Sequence, residues 1–483
     1  MGEEAPPSPV MRPVFYDGCP GCAMERKLEH SQGIPYKEFF FVGITTIASS
    51  LPISSLFPFL YFMIEDLHVA KKEQDIGVYA GFLGASYMIG RCFASLFWGV
   101  VADRIGRKPI IKFSILSVVI FNTLFGLSVK YWMAIATRFL LGALNGMLAP
   151  IKAYSIEVCR PEHQALGLSI VNKFIRISSQ VSTGWGIGLV VGPAIGGYFA
   201  QPAKQYPNVF SEKSIFGRFP YFLPCLCISL IALVVLISCI WLPETLHKHK
   251  NTEGEIEMID NSRSTLDEDS HKQKSLYKNW PLISSIIAYC VFTLHDTAYS
   301  EIFSLWAVSD KRYGGLSFSS KEVGQVLAVA GAGLLVYQLF IYRSVHKFLG
   351  SINSSRIASA LSIPILAAYP FMTHLSGFRL GIALYLGTIL KGILSMTIIT
   401  GTSLLQNNAV SQSQRGAANG ISTTAMSFFK AIAPAGAGAL FSWAQERQNA
   451  TFFPGDQMIF FILNVIELIG LALTFKPFLA IPN

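Results

Sequence analysis

Charged residues are scarce in this sequence. Asp, Glu, Lys and Arg make up 14% of the 483 residues, whereas 52% are hydrophobic and the mean hydropathy is +0.45. Because soluble domains carry roughly a quarter charged residues, this composition excludes a soluble globular enzyme and a disordered scaffold. It indicates a protein that crosses a membrane several times.

Features of secreted proteins and of hydrolases are also missing. The first 38 residues contain no apolar stretch of signal-peptide type, so we expect no cleavable signal. The eight cysteines are scattered, mostly in apolar stretches, which is typical of buried thiols rather than of a disulfide framework. No HExxH, GxSxG or phosphate-loop pattern occurs. We therefore expect neither an enzyme nor a cofactor.

Long apolar stretches, by contrast, are numerous. A transmembrane helix needs about 20 predominantly apolar residues, and twelve stretches meet that requirement, six on each side of a polar break. They cover residues 39–64, 78–102, 109–129, 131–157, 165–200, 219–242, 280–308, 323–349, 355–375, 379–405, 417–443 and 457–476. We predict an all-α polytopic membrane protein with twelve transmembrane helices in two six-helix bundles that form a pseudo-repeat.

The same pattern predicts the domain organisation. An N-terminal tail (1–38) precedes the first bundle (39–242), and a polar, acidic linker (243–279) leads to the second bundle (280–476) and a C-terminal tail (477–483). An even number of spans places both termini on one side of the membrane. Lys and Arg are more numerous on that side, which indicates the cytoplasm. The net charge of +9 then reflects topology rather than nucleic-acid binding.

Two glycines, one aspartate and three cations join the second and third spans with almost no loop: Gly99, Asp103, Arg104, Gly106, Arg107 and Lys108. Gly99 permits close helix approach, Gly106 permits a tight turn, and Asp103 lies where a carboxylate suits the positive end of a helix. A plain basic turn is the alternative interpretation. The pattern resembles the signature loop of the major facilitator superfamily. That resemblance implies a salt-bridge latch that holds the two bundles closed on the cytoplasmic side.

The fourth span contains Arg138, followed by Gly142 and Gly146 at four-residue spacing. Small residues at this spacing permit close packing of helices, and an arginine at membrane depth is a candidate functional residue. The pattern resembles a motif of the same superfamily whose arginine is linked to proton coupling. An arginine that reaches back to the membrane surface is the alternative.

The fifth span has a glycine-rich pattern: Gly188, Gly192, Pro193, Gly196 and Gly197. A four-residue period places three of the glycines on one helix face, and the proline adds a kink. Generic close packing would explain this composition. The pattern also resembles the superfamily's antiporter motif, which implies exchange of solutes rather than uniport.

Several other ionisable residues lie within predicted spans: His295, Asp296, Glu301, Lys391, Lys430 and Glu467. A carboxylate shielded from water can carry a proton between the faces of the membrane. We expect proton coupling and the substrate cavity to involve the first five of these residues together with Arg138, with His295 and its neighbour Asp296 as the best titratable pair. Glu467 is the weakest candidate, because the twelfth span is peripheral in this fold. Structural ion pairs are the competing interpretation.

The fifth span is longer than its counterpart in the second bundle, the eleventh. Ala-Leu-Gly-Leu-Ser at 165–169 matches Ala-Asn-Gly-Ile-Ser at 418–422, but the interval to the following proline is longer in the fifth span. The surplus includes the polar, cationic residues 172–181. We interpret it as an insertion, such as a splice or gene-model variant. A longer cytoplasmic loop is the alternative.

The two tails contain a weak metal-like signal: Cys19, Cys22, His247 and His249. One CxxC is at best half of a zinc site, so incidental composition and redox chemistry stay open. Residues 17–22 (DGCPGC), 35–38 (PYKE), 160–169 (RPEHQALGLS) and 196–203 (GGYFAQPA) resemble the plant zinc-induced facilitator family. The resemblance implies a proton-coupled exporter of nicotianamine-type chelators or small ions, with a role in zinc and iron homeostasis. It also implies the vacuolar membrane, with the plasma membrane as the alternative.

The leading hypothesis is therefore a proton-coupled antiporter that exports a small organic or metal-chelating solute or an ion. An uncoupled facilitator or a nitrate/peptide-type carrier is the alternative. A transporter-like sensor or non-transporting splice variant is an alternative of another class, suggested by the surplus in the fifth span and by the tails. The expected partners are the substrate, protons and the lipid bilayer, with no nucleic acid, and we expect a monomer.

Overall fold

The computed structural model describes residues 16, 18–30, 36–147, 150–151, 154, 170–246, 276, 278–410, 415–448, 450–452 and 454–479. Over these residues the chain is predominantly helical and contains no strand. This confirms the predicted all-α class.

The helices of the first half are α1 (Pro20–His30), α2 (Tyr36–Ser54), α3 (Leu60–Asp66), α4 (Ile76–Ile105), α5 (Arg107–Gly126), α6 (Tyr131–Leu144), α7 (Ile170–Phe199) and α8 (Phe222–Ser238). Those of the second half are α9 (Trp280–Val308), α10 (Ser320–Val336), α11 (Tyr342–Ala368), α12 (Gly377–Asn408), α13 (Arg415–Glu446) and α14 (Gly455–Ala472). Short helices of four residues, Pro202–Gln205 and Ile215–Arg218, lie between α7 and α8.

Six helical segments of the described chain are long and apolar enough to cross a membrane: Arg107–Gly126, Phe222–Trp241, Trp280–Val308, Ser320–His374, Gly377–Asn408 and Ala418–Glu446. The segment Ser320–His374 contains two predicted spans, because the chain reverses at Gly350, whose φ is +70°. Two shorter apolar helices, Tyr131–Leu144 and Gln457–Ala472, match the fourth and twelfth predicted spans. The remaining predicted spans coincide with α2 plus α3, with α4 and with α7.

Two spans differ from the uniform helices predicted for them. The first is divided, because α2 ends at Ser54, four residues before Pro58, whose ring would clash with the carbonyl of a helical residue at that position. The fourth leaves the helix at Asn145 (φ −86°, ψ 68°), and most of 148–160 lies outside the described residues. Helix α7 contains 172–181, whose side chains are not described. Residues 155–169, which precede α7, lie outside the described residues, so the insertion in the fifth span stays a prediction.

The two halves meet through two crossed pairs of helices, α4 with α13 and α7 with α10. Backbones touch in both pairs. A Cβ atom on Gly77 would lie 2.9 Å from the carbonyl oxygen of Gly438, and one on Gly197 would lie 2.7 Å from the Cα of Gly324. These pairs join the second span to the eleventh and the fifth to the eighth, as expected when two repeated bundles face each other.

Hydrogen bonds join the two halves at one end of the bundle. The backbone N–H of Val78 donates to Ser442, and the side chain of Gln205 donates to Ser320. We call this the distal end; it carries the short helices Glu73–Asp75 and Lys311–Tyr313. The opposite end, which carries the turns at Gly106 and Gly350, is the latch end.

Candidate functional site

The turn between α4 and α5 depends on Gly106 and on a carboxylate that comes from elsewhere in the chain. Gly106 has φ +120°, and α5 begins at the next residue. The carboxylate of Glu244 accepts the backbone N–H groups of Arg107 and Lys108, both at 3.0 Å. The first N–H groups of a helix have no partner within the helix, and a negative charge there is favourable. Glu244 therefore caps α5.

The cations of this turn mostly cap helix ends. Arg107 donates from Nη1 to the carbonyl oxygen of Ala102 at 2.8 Å, and Lys108 donates from Nζ to that of Ile240 at 2.9 Å. Arg104 is exposed, and the side chain of Asp103 is not described. A Cβ atom on Gly99 would have no described neighbour within 4 Å. The close approach expected at Gly99 stays a prediction.

Arg138 of α6 does not reach the membrane surface. It is 2% exposed and donates from Nη1 to the carbonyl oxygen of Pro52 at 2.8 Å. Its guanidinium lies 5.0 Å from the ring centroid of Phe125 and 5.4 Å from that of Tyr87. Because α2 ends at Ser54, the Pro52 carbonyl is one of the last four carbonyls of that helix, and a cation there is favourable. Nε of Arg138 makes no hydrogen bond to any described residue.

Glu301 of α9 is buried where the two halves meet. Its Oε2 lies 3.2 Å from the position of a Cβ atom on Gly84 of α4, and Pro434 of α13 lies at a similar distance from that position. Its Oε1 makes no hydrogen bond to any described residue. Glu301 and Arg138 attract each other electrostatically. The structure therefore places opposite charges from the two halves near each other in the protein interior.

The second half contains its own group of buried ionisable residues. His295 Nδ1 lies 2.9 Å from Glu467 Oε2, and both side chains are 1% exposed. Lys391 is fully buried, donates to Ser395 Oγ at 2.6 Å and lies 5.2 Å from the ring centroid of Tyr299. These residues come from α9, α12 and α14.

Two expectations about this group were wrong. His295 pairs with Glu467 rather than with Asp296, because consecutive residues of a helix point roughly 100° apart around its axis. Asp296 is partly exposed. Glu467, expected to be peripheral, is fully buried. Lys430 is partly exposed on α13.

The glycine pattern of the fifth span packs against two helices. A Cβ atom on Gly188, Gly192 or Gly196 would collide with Ser50, Ser54 or Ser55 of the first span, respectively. Ser54 Oγ also donates to the carbonyl oxygen of Gly188 at 2.8 Å. On another face, Gly197 and the carbonyl of Pro193 meet Gly324 of α10. This pattern therefore joins the first span to the interface between the halves.

The cysteine pair lies at the start of α1. Cys19 and Cys22 are buried, and Met24 packs into the core of the first half. Among the described residues no three His, Cys, Asp or Glu side chains form a metal-binding group. His247 and His249 lie outside the described residues, so a metal site that includes them stays a prediction.

Comparison with known proteins identifies the family. Residues 42–434 match the Major Facilitator Superfamily. The chain is 53% identical to the zinc induced facilitator 1 protein of Arabidopsis thaliana, with 99% of each chain covered. It is also 53% identical to a probable peptide/nitrate transporter of that plant, with 96% of each covered.

Among solved structures, a D-xylose–proton symporter has the same fold, with a TM-score of 0.67 and 11% identity, covering 92% of this chain and 98% of that one. This similarity concerns the fold alone. The geometry and the relatives together describe a multi-pass membrane transporter rather than an enzyme. The chain belongs to the major facilitator superfamily and, within it, to the plant zinc-induced facilitator family.

Proposed function

We propose that this protein is a proton-coupled antiporter that exports a small organic or metal-chelating solute from the cytosol. Nicotianamine is the candidate cargo, and zinc and iron homeostasis is the candidate role. We place it in the vacuolar membrane, as a monomer with both termini in the cytosol. The sequence resemblance to zinc-induced facilitators motivates the cargo, and the positions of the buried charges motivate the coupling.

The observation that carries the coupling is the burial of Glu301 where the two halves meet, in a protein whose first half buries the opposite charge of Arg138. A buried carboxylate without a hydrogen-bond partner is costly in its charged form. Proton binding to Glu301 would remove that cost together with its attraction to Arg138. A change that affects one conformation more than another shifts the balance between them. Protonation of Glu301 would therefore alter how strongly the halves hold together.

The distribution of contacts between the halves supports alternating access. In this conformation the helix pairs touch at the distal end, whereas Gly99 at the latch end has no close described neighbour. With the termini in the cytosol, the latch end faces the cytosol. The turn around Arg107 would then close against the second half when the two bundles rock about a site near the middle of the membrane.

Transport by purified protein in liposomes tests the proposal. A pH gradient imposed across the membrane should drive accumulation of labelled nicotianamine, and a protonophore should abolish it. Glu301→Gln should lose the gradient-driven accumulation, whereas Glu322→Gln, which alters an exposed carboxylate of the second half, should retain it. Accumulation that persists after the gradient is collapsed would rule out proton coupling.

An uncoupled facilitator or a nitrate/peptide-type carrier is the second candidate, favoured by the relative described as a probable peptide/nitrate transporter. Nitrate or dipeptide uptake that exceeds nicotianamine uptake in the same liposomes would favour it. A sensor or non-transporting variant would show no flux until residues 172–181 are deleted. Comparing the parent with that deletion separates a transporter from an inactive variant.

A further inference from the structure

Three buried ionisable residues of the second half lie apart from Arg138 and Glu301. His295, Lys391 and Glu467 are 1%, 0% and 0% exposed, and each belongs to a different helix. Glu467 contacts His295 at 2.9 Å and is also attracted by Lys391. Packing of α9 against both α12 and α14 brings them together.

The hydrogen bonds of this group are incomplete. Nε2 of His295 is buried and makes no hydrogen bond to any described residue, whereas the carboxylate of Glu467 is also stabilised by the hydroxyl of Ser359. Other charged side chains on the surrounding helices are directed elsewhere or are partly exposed. Arg356 of α11 binds Thr474, while Asp296 of α9 and Lys430 of α13 are partly exposed. The group therefore contains one carboxylate, one ammonium and one imidazole, with the hydroxyls of Tyr299 and Ser395 around them.

This composition is poorly explained by stability alone. A buried ion pair generally contributes no more than apolar residues of the same size would. Glu467 and Lys391 carry side chains of opposite charge type, and His295 adds an imidazole, whose two ring nitrogens can accept or donate a proton. A proton added to His295 or Glu467 would make the group more positive in a dry environment, and would weaken the attraction that holds Lys391 in place.

The group is connected to the interface between the halves through α9. Lys391 lies over the ring of Tyr299, whose hydroxyl lies 2.7 Å from that of Tyr369. Tyr299 precedes Glu301 by two residues on the same helix, and α9 packs against α4 of the first half. A shift of Lys391 would therefore alter its contact with α9, the helix that contributes Glu301 to the interface.

We propose that His295 and Glu467 form a second proton-binding site in the second half, with Lys391 as its counter-charge, and that this site acts together with Glu301. The inference rests on the proposed proton-coupled exchange and adds Glu467 to the coupling residues. The proton passes between water and this pair. The bond to that proton is the only covalent bond that forms or breaks.

Liposomes containing the full chain and a trapped pH-sensitive dye provide the test, with nicotianamine as the probe. Two quantities are measured: proton flux driven by nicotianamine, and exchange of labelled for unlabelled nicotianamine at equal pH on both sides. Glu467→Gln should lose the proton flux while retaining exchange, and the pH dependence of exchange should flatten. Glu467→Asp should restore part of the proton flux. Glu322→Gln is the matched control, since it removes an exposed carboxylate of the second half outside the group.

A purely structural ion pair predicts a different result. The double variant Glu467→Gln with Lys391→Gln removes both charges and keeps the interior neutral, so a structural role predicts recovery of proton flux, whereas our proposal predicts that it stays lost. The double variant also carries the test if the single variant does not reach the membrane. Unchanged proton flux and an unchanged pH profile in Glu467→Gln would overturn the inference. If the parent exchanges nicotianamine without proton flux, the proposed antiport fails, and the pH profile of exchange still tests the pair separately.

Discussion

The carboxylate oxygen Oε1 of Glu244 lies 3.0 Å from the backbone nitrogen of Arg107, so a residue after the sixth span caps the helix that forms the third. Gly106 leaves room for this contact, because a Cβ atom there would lie 2.5 Å from the same carboxylate. The turn that resembles the superfamily's signature loop therefore depends on a residue about 140 positions away in the chain. This arrangement joins the latch to the start of the linker between the halves.

Removal of this cap should destabilise the protein modestly and disturb the latch. Loss of a helix N-cap costs about 1 kcal/mol, so Glu244→Ala should lower the midpoint of thermal unfolding and reduce nicotianamine exchange. Glu322→Ala is a matched control, because Glu322 completes a capping box at the distal end of α10. The control should lose similar stability and keep its exchange rate. Equal loss of exchange in both variants would show that Glu244 contributes to stability and has no separate role in the latch.

Enlarging Gly192 should disrupt the contact between the first and fifth spans. A side chain there meets Ser54, and overpacking in a close-packed interior costs about 1–3 kcal/mol. Gly192→Val should lower the yield of folded protein, whereas Gly436→Val, where a Cβ atom meets nothing within 4 Å, should be tolerated. The double variant Gly192→Ser with Ser54→Gly exchanges the two sizes and should recover part of the loss. Fluorescence-detected size-exclusion chromatography measures the yield of folded protein for all three variants.

Replacement of Arg138 by lysine should not preserve function. Arg138 hydrogen-bonds the Pro52 carbonyl and stacks near Phe125 and Tyr87, and a lysine does not reproduce a planar guanidinium that makes both kinds of contact. We expect Arg138→Lys to fold but to lose most gradient-driven accumulation. The same substitution at Arg343, which is exposed at the latch end, serves as the control. Wild-type accumulation in Arg138→Lys would show that a positive charge alone is sufficient.

Reversing the charge of Glu73, which forms an ion pair with Arg312, should favour opening of the distal end. The pair joins the two halves with N and O atoms 3.7 Å apart, and Arg312 also contacts Asp310. Exposed pairs contribute about 0.2–1 kcal/mol, so Glu73→Lys should shift the population between open and closed states only a fewfold. Distance measurements between spin labels on the two halves report that shift. The swap Glu73→Arg with Arg312→Glu should return the distribution toward that of the parent.

The number and type of helices could be predicted because each span must satisfy its own backbone hydrogen bonds in lipid and must be apolar throughout. The turn at Gly106 could be predicted for a similar reason, since a local pattern of glycine, charges and proline specifies a tight connection. The breaks after Ser54 and at Leu144 were missed. Pro58 is a visible signal for the first break, whereas the hydropathy around Asn145 continues without interruption.

The partners of the charges could not be predicted in the same way. His295 and Asp296 are neighbours in the chain but diverge around the helix, while Glu467 reaches His295 from the last helix of the fold. Glu244 and Arg107 likewise meet only after the sixth span has packed against the third. No local periodicity encodes these pairs, because each depends on how two separate helices are rotated and shifted against each other.

The scarcity of charge indicated a membrane protein, and the long apolar stretches predicted about twelve spans. The sequence by itself also made the few charges within those spans the candidates for function. The tertiary structure decided which of those charges meet. It brings Glu301 toward Arg138 across the interface and brings Glu467 to His295 within one half. The physical reason is that hydropathy acts on each helix separately, whereas an ion pair forms only when packing brings two helix faces into contact.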